Sequence, residues 1–210
     1  MKNIVLIGAT GNIGSRILAE ALARGFTVTA VVRDTAKLAP RTGLRVVRGD
    51  AFKPEGFADI LRGADALVAA LSPSFAEPRP FFDANKALAR AVAEYGVGRF
   101  IVVGGASTTL NEKGERLFDL GLFPPEWMPY LQSHVDTLDM LKESGIAWTY
   151  FSPAMTIEAG ERTGKYRVGG NAQIKDAAGV SRISYEDYAA ALVDELESGA
   201  HIRAHFTAAY

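Results

Sequence analysis

The sequence predicts an α/β fold built on a doubly wound, mostly parallel sheet with helices on both faces. Three observations predict it. Short runs rich in Val, Ile and Leu alternate with longer segments whose apolar residues recur at helical spacing. The short runs are continuously apolar rather than alternating, as strands covered on both faces must be. Three glycines stand at regular spacing in the turn between the first run and the first helical segment. A strand–helix alternation of this kind implies right-handed crossovers and an open sheet.

"NIVLIG" is the first strand, and "GSRILAEALARG" is the first helix, with Ile17, Leu18, Ala21 and Leu22 on one face and Gly25 as its stop. "FTVTAVVR" and "LRVVRGD" are the second and third strands. "PEGFADILRG" is a helix with Pro54 at its start. "ADALVAAL" is the fourth strand, "FFDANKALARAVAEYG" a long amphipathic helix, and "RFIVVGG" the fifth strand. "PYLQSHVDTLDMLKESG" and "AWTYFSP" repeat the pair. The rhythm then changes. Residues 153–183 are rich in Gly and turn formers, and this stretch is expected to form a small cap at the carboxyl ends of the strands. "YEDYAAALVDELESG" restores a helix, whose acidic residues read as a solvated face, and "IRAHFTAAY" closes with a strand. There is no repeat, linker or compositional break, so residues 1–210 are expected to form one domain.

Composition narrows the function. The 210 residues carry a formal net charge of −1, which gives no basis for steering toward nucleic acid or an acidic membrane surface. The chain has no cysteine, which removes disulfides, thiolate metal sites and cysteine nucleophiles. No apolar run approaches membrane-spanning length and no signal-peptide layout is present, so the expected setting is the cytoplasm. His134, His201 and His205 do not make a ligand set; the last two are expected at the surface of the closing strand, and no metal site is expected.

The glycines point to a ligand. Gly8, Gly11 and Gly14 follow G-x-x-G-x-x-G between a strand and a helix. A sharp turn needs a residue without Cβ, and so does close approach of backbone amides to a phosphate. The helix N-terminus adds unpaired N–H groups and the positive end of its dipole. Thr10, Asn12 and Ile13 complete this turn as candidate dinucleotide contacts. At the end of the second strand, an acidic residue would hold the ribose hydroxyl of NAD, and an arginine the 2′-phosphate of NADP. Arg33 stands there, before Asp34, with Lys37 nearby, so NADP(H) is favoured over NAD(H). The alternatives are Asp34 on the ribose, or a solvated Arg33–Asp34 pair. Asp50, after the third strand, either accepts from the adenine amino group or shapes a turn. Ala51, Ala70 and Leu71, at the carboxyl ends of the third and fourth strands, are further candidate cofactor contacts.

Together, "GATGNIG", "VVRD", "VRGD" and "FIVVGGAS" resemble the atypical short-chain dehydrogenase/reductase superfamily, in the NAD(P)-binding branch that includes NmrA-like proteins and biliverdin-IXβ and flavin reductases. "MLKESGIAWTYFSPAM", "GERTGKYRVGG" and "SRISYEDYAAALVDELE" resemble the bacterial group provisionally named NADH-flavin reductases. The resemblance spans nearly the whole chain and implies a Rossmann-like fold. It also implies a serine or threonine near the nicotinamide, a place that Ser107 matches. The group's name says NADH, whereas Arg33 argues for NADPH.

The chemistry is less sharply marked. Classical members of the superfamily use Tyr-x-x-x-Lys, in which the lysine lowers the tyrosine pKa. None of the seven tyrosines here has a lysine four residues on; Tyr130 comes nearest, with His134 in the lysine's place. Hydride transfer to a flavin, quinone or similar planar acceptor asks mainly for stacking, orientation and exclusion of water. Ser107 either bonds cofactor or substrate or closes a strand-end turn. His134 either donates a proton, orients the acceptor, or is structural. Ser152 and Pro153, after the sixth strand, are candidate contacts to the nicotinamide carboxamide. Leu117, Phe118, Leu122, Phe123, Trp127 and Met128 form a lid over a flat ring, core filler, or a contact with a second copy of the chain. "SPSFAEPRPFF" is a candidate opposite wall. Two further readings stand beside the reductase. One is a non-catalytic NAD(P) sensor of NmrA-like type; the other is an isomerase or epimerase, which normally needs the missing tyrosine–lysine pair.

Overall fold

A computed structural model describes residues 2–210. Eight strands form one twisted sheet in the order β3-β2-β1-β4-β5-β6-β10-β8. The first four are β1 (Asn3–Ile7), β2 (Thr27–Val32), β3 (Leu44–Arg48) and β4 (Ala66–Ala69). The others are β5 (Phe100–Val103), β6 (Trp148–Ser152), β8 (Arg167–Gly169) and β10 (Ala204–Ala209). Every pairing is parallel except that of β8, which runs antiparallel to β10 at the edge. β1, β4 and β5 are buried almost throughout, whereas the edge strand β3 is only partly covered. This explains why the central runs are continuously apolar and β3 is interrupted by Arg45 and Arg48.

Five helices cover the two faces of this Rossmann-like sheet. On one face, α1 (Asn12–Ala23) packs beside α5 (Tyr185–Ser198), with Ile17, Leu18, Leu192 and Leu196 against Ile4, Leu6 and Phe206. The other face carries α2 (Ala58–Leu61), α3 (Arg79–Tyr95) and α4 (Met128–Glu143). In α3 the buried residues Phe81, Ala84, Leu88, Ala91 and Val92 form a helical stripe, and Gly96 ends the helix at φ 70°. Ser184 caps α5 by accepting from the Asp187 N–H at 2.9 Å, and Gly199 ends it at φ 64°. The "PEGFADILRG" segment is a 3₁₀ turn followed by the single α-helical turn of α2.

Residues 153–183 divide between two sheets. β7 (Thr156–Glu158) pairs with β9 (Arg182–Ser184) in a two-stranded parallel sheet, while β8 extends the main one. The connecting loop is tied to α5. Asp187 accepts from the Thr163 hydroxyl at 2.6 Å, the Gly164 N–H at 2.8 Å and the Tyr210 hydroxyl at 2.9 Å.

Three sequence expectations are corrected here. The acidic residues of α5 are not a uniformly solvated face: Asp187 and Glu195 are buried, each with several donors around it. His201 and His205 are half-buried rather than exposed. His201 lies before β10 and contacts Glu195, and His205 is pinned by Ser152 at 2.8 Å. Helical periodicity identifies which face of a helix is apolar, but charged residues on that face become legible only when their partners elsewhere in the chain are known.

Candidate functional site

The order of strands reverses between β1 and β4, and such a switch point opens a crevice at the carboxyl ends of the strands. Two adjoining cavities lie there, of about 390 Å³ and 590 Å³, and they share Gly8, Thr10, Leu71 and Ser72. The turn between them is shaped by close packing. Gly8 has φ +84°, and a Cβ there would stand 2.1 Å from the Ala70 carbonyl oxygen. A Cβ on Gly14 would stand 2.0 Å from the Gly8 oxygen. Gly11 is different: its Cβ would meet only the Gly8 oxygen, at an ordinary 3.4 Å, and otherwise open space. Gly11 is the N-cap of α1. No side chain caps it, and the first turn carries no acidic residue. The leading N–H groups of this helix therefore face the crevice with the dipole behind them.

The smaller cavity runs over β2 and β3. Arg33, Asp34, Lys37, Asp50 and Ala51 line it, with Glu77 across from them. Arg33 and Lys37 are exposed and are in no ion pair among the described residues. Both aspartates shape their own turns: Asp34 accepts from the Ala36 N–H at 3.1 Å and Asp50 from the Phe52 N–H at 3.0 Å.

The larger cavity lies over β4, β5 and β6. Its floor is Gly104 and Gly105, and the sequence needs both glycines there. A Cβ on Gly104 would stand 2.2 Å from the Tyr150 ring, and one on Gly105 2.7 Å from the His134 ring. Ser107 lines the cavity with only 2 % of its surface exposed, and its Oγ has no hydrogen-bond partner. Buried hydroxyls are nearly always paired, which makes Ser107 a candidate contact for a bound ligand. Phe75, Trp127 and Tyr130 build a wall. Phe75 stacks on Tyr130 at 4.4 Å with 12° between the rings, and its centroid is 6.0 Å from that of Trp127.

His134 sits at the base of this wall, 4.6 Å from the Phe81 ring and 3.2 Å from the Tyr150 hydroxyl. Burial pushes its pKa down to about 3, so the ring is neutral at physiological pH. The Tyr150 hydroxyl also lies 3.1 Å from the His134 carbonyl oxygen. With the phenol proton on that carbonyl, its oxygen accepts from Nδ1–H, and Nε2 is left as an acceptor. Burial likewise raises the Tyr150 hydroxyl far above its ordinary value, so it stays protonated.

Most residues singled out from the sequence come together. Gly8, Thr10, Gly11, Asn12, Ile13, Arg33, Asp50, Ala51, Ala70, Leu71, Ser107, Tyr130, His134 and Pro153 line one cavity or both. Gly14 and Ser152 do not. Gly14 is packed behind the turn, and Ser152 is fully buried, bonded to Thr108 and His205 at 2.8 Å each. The long loop divides as well: Phe123 and Trp127 face the cavity, Leu117 is core, and Leu122 is exposed. Met155, Ile157 and Tyr185 also line the cavity; the first two fall in the stretch expected to form a cap, and Tyr185, at the start of α5, was not singled out. Ser72 and Phe75 belong to the stretch expected to form an opposite wall; Phe75 instead joins Trp127 and Tyr130 in one wall.

The chain belongs to the NAD(P)H-binding family, whose pattern it matches over residues 8–198. Three solved structures cover it end to end. A provisionally named exported protein from Burkholderia pseudomallei is 41 % identical, with a TM-score of 0.90 over 100 % of both chains. A provisionally named epimerase from Bacteroides thetaiotaomicron is 40 % identical, with a TM-score of 0.91 over 100 % of this chain and 97 % of its own. A provisionally named NADH-flavin reductase from Streptococcus pneumoniae is 33 % identical, with a TM-score of 0.89 over 100 % of this chain and 99 % of its own. The three names disagree on activity, so the choice among them returns to the residues of the crevice. Among the described residues no helix is long and apolar enough to cross a membrane.

Proposed function

We propose that this chain is an NAD(P)H-dependent reductase that passes a hydride to a planar acceptor of the flavin or quinone class. The observation that carries the reading is Ser107: a buried, unpartnered hydroxyl in a cavity walled by aromatic rings and continuous with the glycine turn. The crevice fits a dinucleotide. Gly11 leaves free space at an uncapped helix N-terminus, where a pyrophosphate takes the helix N–H groups as donors. Gly8, Thr10 and Leu71 belong to both cavities, so a ligand spanning them passes this turn.

The bound cofactor would supply the hydride. The chain's own groups orient the two rings and exclude water. Ser107 offers its hydroxyl to the cofactor or the acceptor. His134, neutral and buried, holds the floor and presents an acceptor nitrogen. Tyr130 and Trp127 give a flat ring a face to lie on. The missing Tyr-x-x-x-Lys pair counts against an alcohol dehydrogenase or epimerase. It does not count against a ring acceptor, which takes its second proton from water. The same reading places the chain in the cytoplasm with the reduced pyridine nucleotides.

Two measurements test this reading. Ser107→Ala should slow turnover about tenfold while dinucleotide affinity changes less than threefold. It should leave thermal stability unchanged or raise it, because a buried unpaired hydroxyl is removed. Unaltered kinetics would take Ser107 out of the site. The intact protein should also bind NADPH more tightly than NADH, because Arg33 and Lys37 stand free beside the smaller cavity. Arg33→Ala should lower NADPH affinity about tenfold and leave NADH nearly unchanged, the expected loss of one charge-assisted contact at an exposed site. Equal affinities in the unmutated protein would refute the 2′-phosphate assignment.

A further inference from the structure

The acceptor cavity has an electrostatic property that separates the acceptors grouped above. Among the described residues lining it there is no Asp, Glu, Lys or Arg. The smaller cavity beside it has five: Arg33, Asp34, Lys37, Asp50 and Glu77. Arg16 lies over the ring of Tyr185, a lining residue, at 5.6 Å. It is already neutralised by Glu186 at 3.0 Å.

We infer that the acceptor is an uncharged planar ring, a quinone or an unphosphorylated isoalloxazine, and that the cavity discriminates against acceptors carrying a phosphate. This rests on the reductase reading and narrows it. A phosphate held here would have no counter-charge, and binding sites for phosphate supply one, by arginine or lysine or by helix N–H groups. The N–H groups of α1 would hold the cofactor's pyrophosphate, whose negative charge would repel a second anion within a Debye length of about 8 Å. For an uncharged ring the same wall is favourable. It combines apolar faces from Phe75, Trp127 and Tyr130 with uncharged hydroxyl groups, Ser72 and Ser107 among them. In the reaction a quinone accepts one hydride, two electrons with one proton, and takes a second proton from water to give the hydroquinone, with oxidation of NAD(P)H to NAD(P)⁺. Riboflavin balances in the same way.

Riboflavin and FMN share one ring and differ only in the phosphate, so the pair isolates the charge. NADPH oxidation by the full chain is measured with riboflavin, FMN and menadione. The expected result is turnover with menadione and riboflavin, and a kcat/KM for FMN at least tenfold below that for riboflavin. Met155→Arg, a substitution at an exposed residue of the cavity rim, should raise the FMN-to-riboflavin ratio about tenfold by supplying the missing cation. FMN used as well as riboflavin by the intact protein, or a ratio unmoved by Met155→Arg, overturns the inference while leaving the reductase reading intact. No turnover with any of the three acceptors, in a protein shown by titration to bind NADPH, overturns the reductase reading itself.

Discussion

Gly14→Ala is expected to cost at least about 2 kcal/mol of folding stability and to abolish dinucleotide binding, and two opposed effects decide the sign. Gly14 lies in the first turn of α1, where helix propensity alone favours alanine by about 1 kcal/mol. Against this, the new Cβ would stand 2.0 Å from the Gly8 oxygen and 2.7 Å from the Gly8 carbonyl carbon. Those are backbone atoms and cannot swing aside. The turn is held by the Gly11 N–H donating to that same Gly8 oxygen at 3.0 Å, and by Ala70 N–H donating to Ile7 at 2.9 Å. Overpacking against a rigid neighbour costs about 1–3 kcal/mol and occasionally more, and an overlap this deep belongs at or beyond the upper end. Gly11→Ala is the matched comparison. Its backbone, φ −81° and ψ 171°, suits alanine, and its Cβ meets nothing closer than 3.4 Å. It should fold to within about 1 kcal/mol of the parent, since alanine is only a poorer N-cap. It should nevertheless bind NADPH about tenfold more weakly, by obstructing close approach to the helix N-terminus. Urea denaturation and NADPH titration of both variants separate the two roles. A Gly14→Ala protein of unchanged stability, or a Gly11→Ala protein of full affinity, would contradict this division of labour.

Glu195→Ala should destabilise the domain by about 3–5 kcal/mol without touching the crevice. Arg99 and Glu195 form an ion pair with 1 % and 3 % of their surfaces exposed. Arg99 also donates to the Glu195 carbonyl at 2.8 Å and to Thr149 Oγ1 at 2.7 Å. Glu195 in turn accepts from the His201 backbone N–H at 2.9 Å and contacts His201 Nδ1 at 2.5 Å. Thr149 closes the network by donating to the His201 carbonyl at 2.7 Å. Removing the carboxylate leaves a guanidinium buried without its counter-charge, and that cost, rather than the worth of the pair, sets the magnitude. For a domain of this size the loss corresponds to a Tm lower by roughly 10 °C. Replacing Arg99 and Glu195 together by Met and Leu should recover most of it, because no charge is then stranded. Calorimetry on the single and double variants reads this directly. A double variant no more stable than the single would show that the network's hydrogen bonds to Thr149 and His201, and not the stranded charge, carry the effect.

The two cases mark where the residue pattern was informative. Gly8, Gly11 and Gly14 were visible as one motif, yet the reasons for them differ. Gly8 and Gly14 satisfy the packing of the chain on itself, and only Gly11 faces open space. Arg33 was placed by its position after a strand, a local feature. By contrast, Glu195 sits in a stretch that reads as a charged helix face, and its partner Arg99 is 96 residues away. Nothing local distinguishes it from the exposed Glu197 two positions on. His205 is the same case: a histidine near the start of an apolar strand gives no sign that Ser152 and Thr108 wait beneath it.

The succession of strands and helices along the chain, and the glycine turn after the first strand, were legible because they depend on near neighbours. Apolar period, turn formers and glycine spacing act within one or two turns of chain, and the handedness of crossovers then leaves few topologies open. Which charges are buried, which hydroxyl lacks a partner, and which of the candidate rings line the larger cavity emerged only from the folded chain. Each depends on segments far apart in sequence meeting across a sheet face, and the free energy of a buried polar group is set by the partner it finds there.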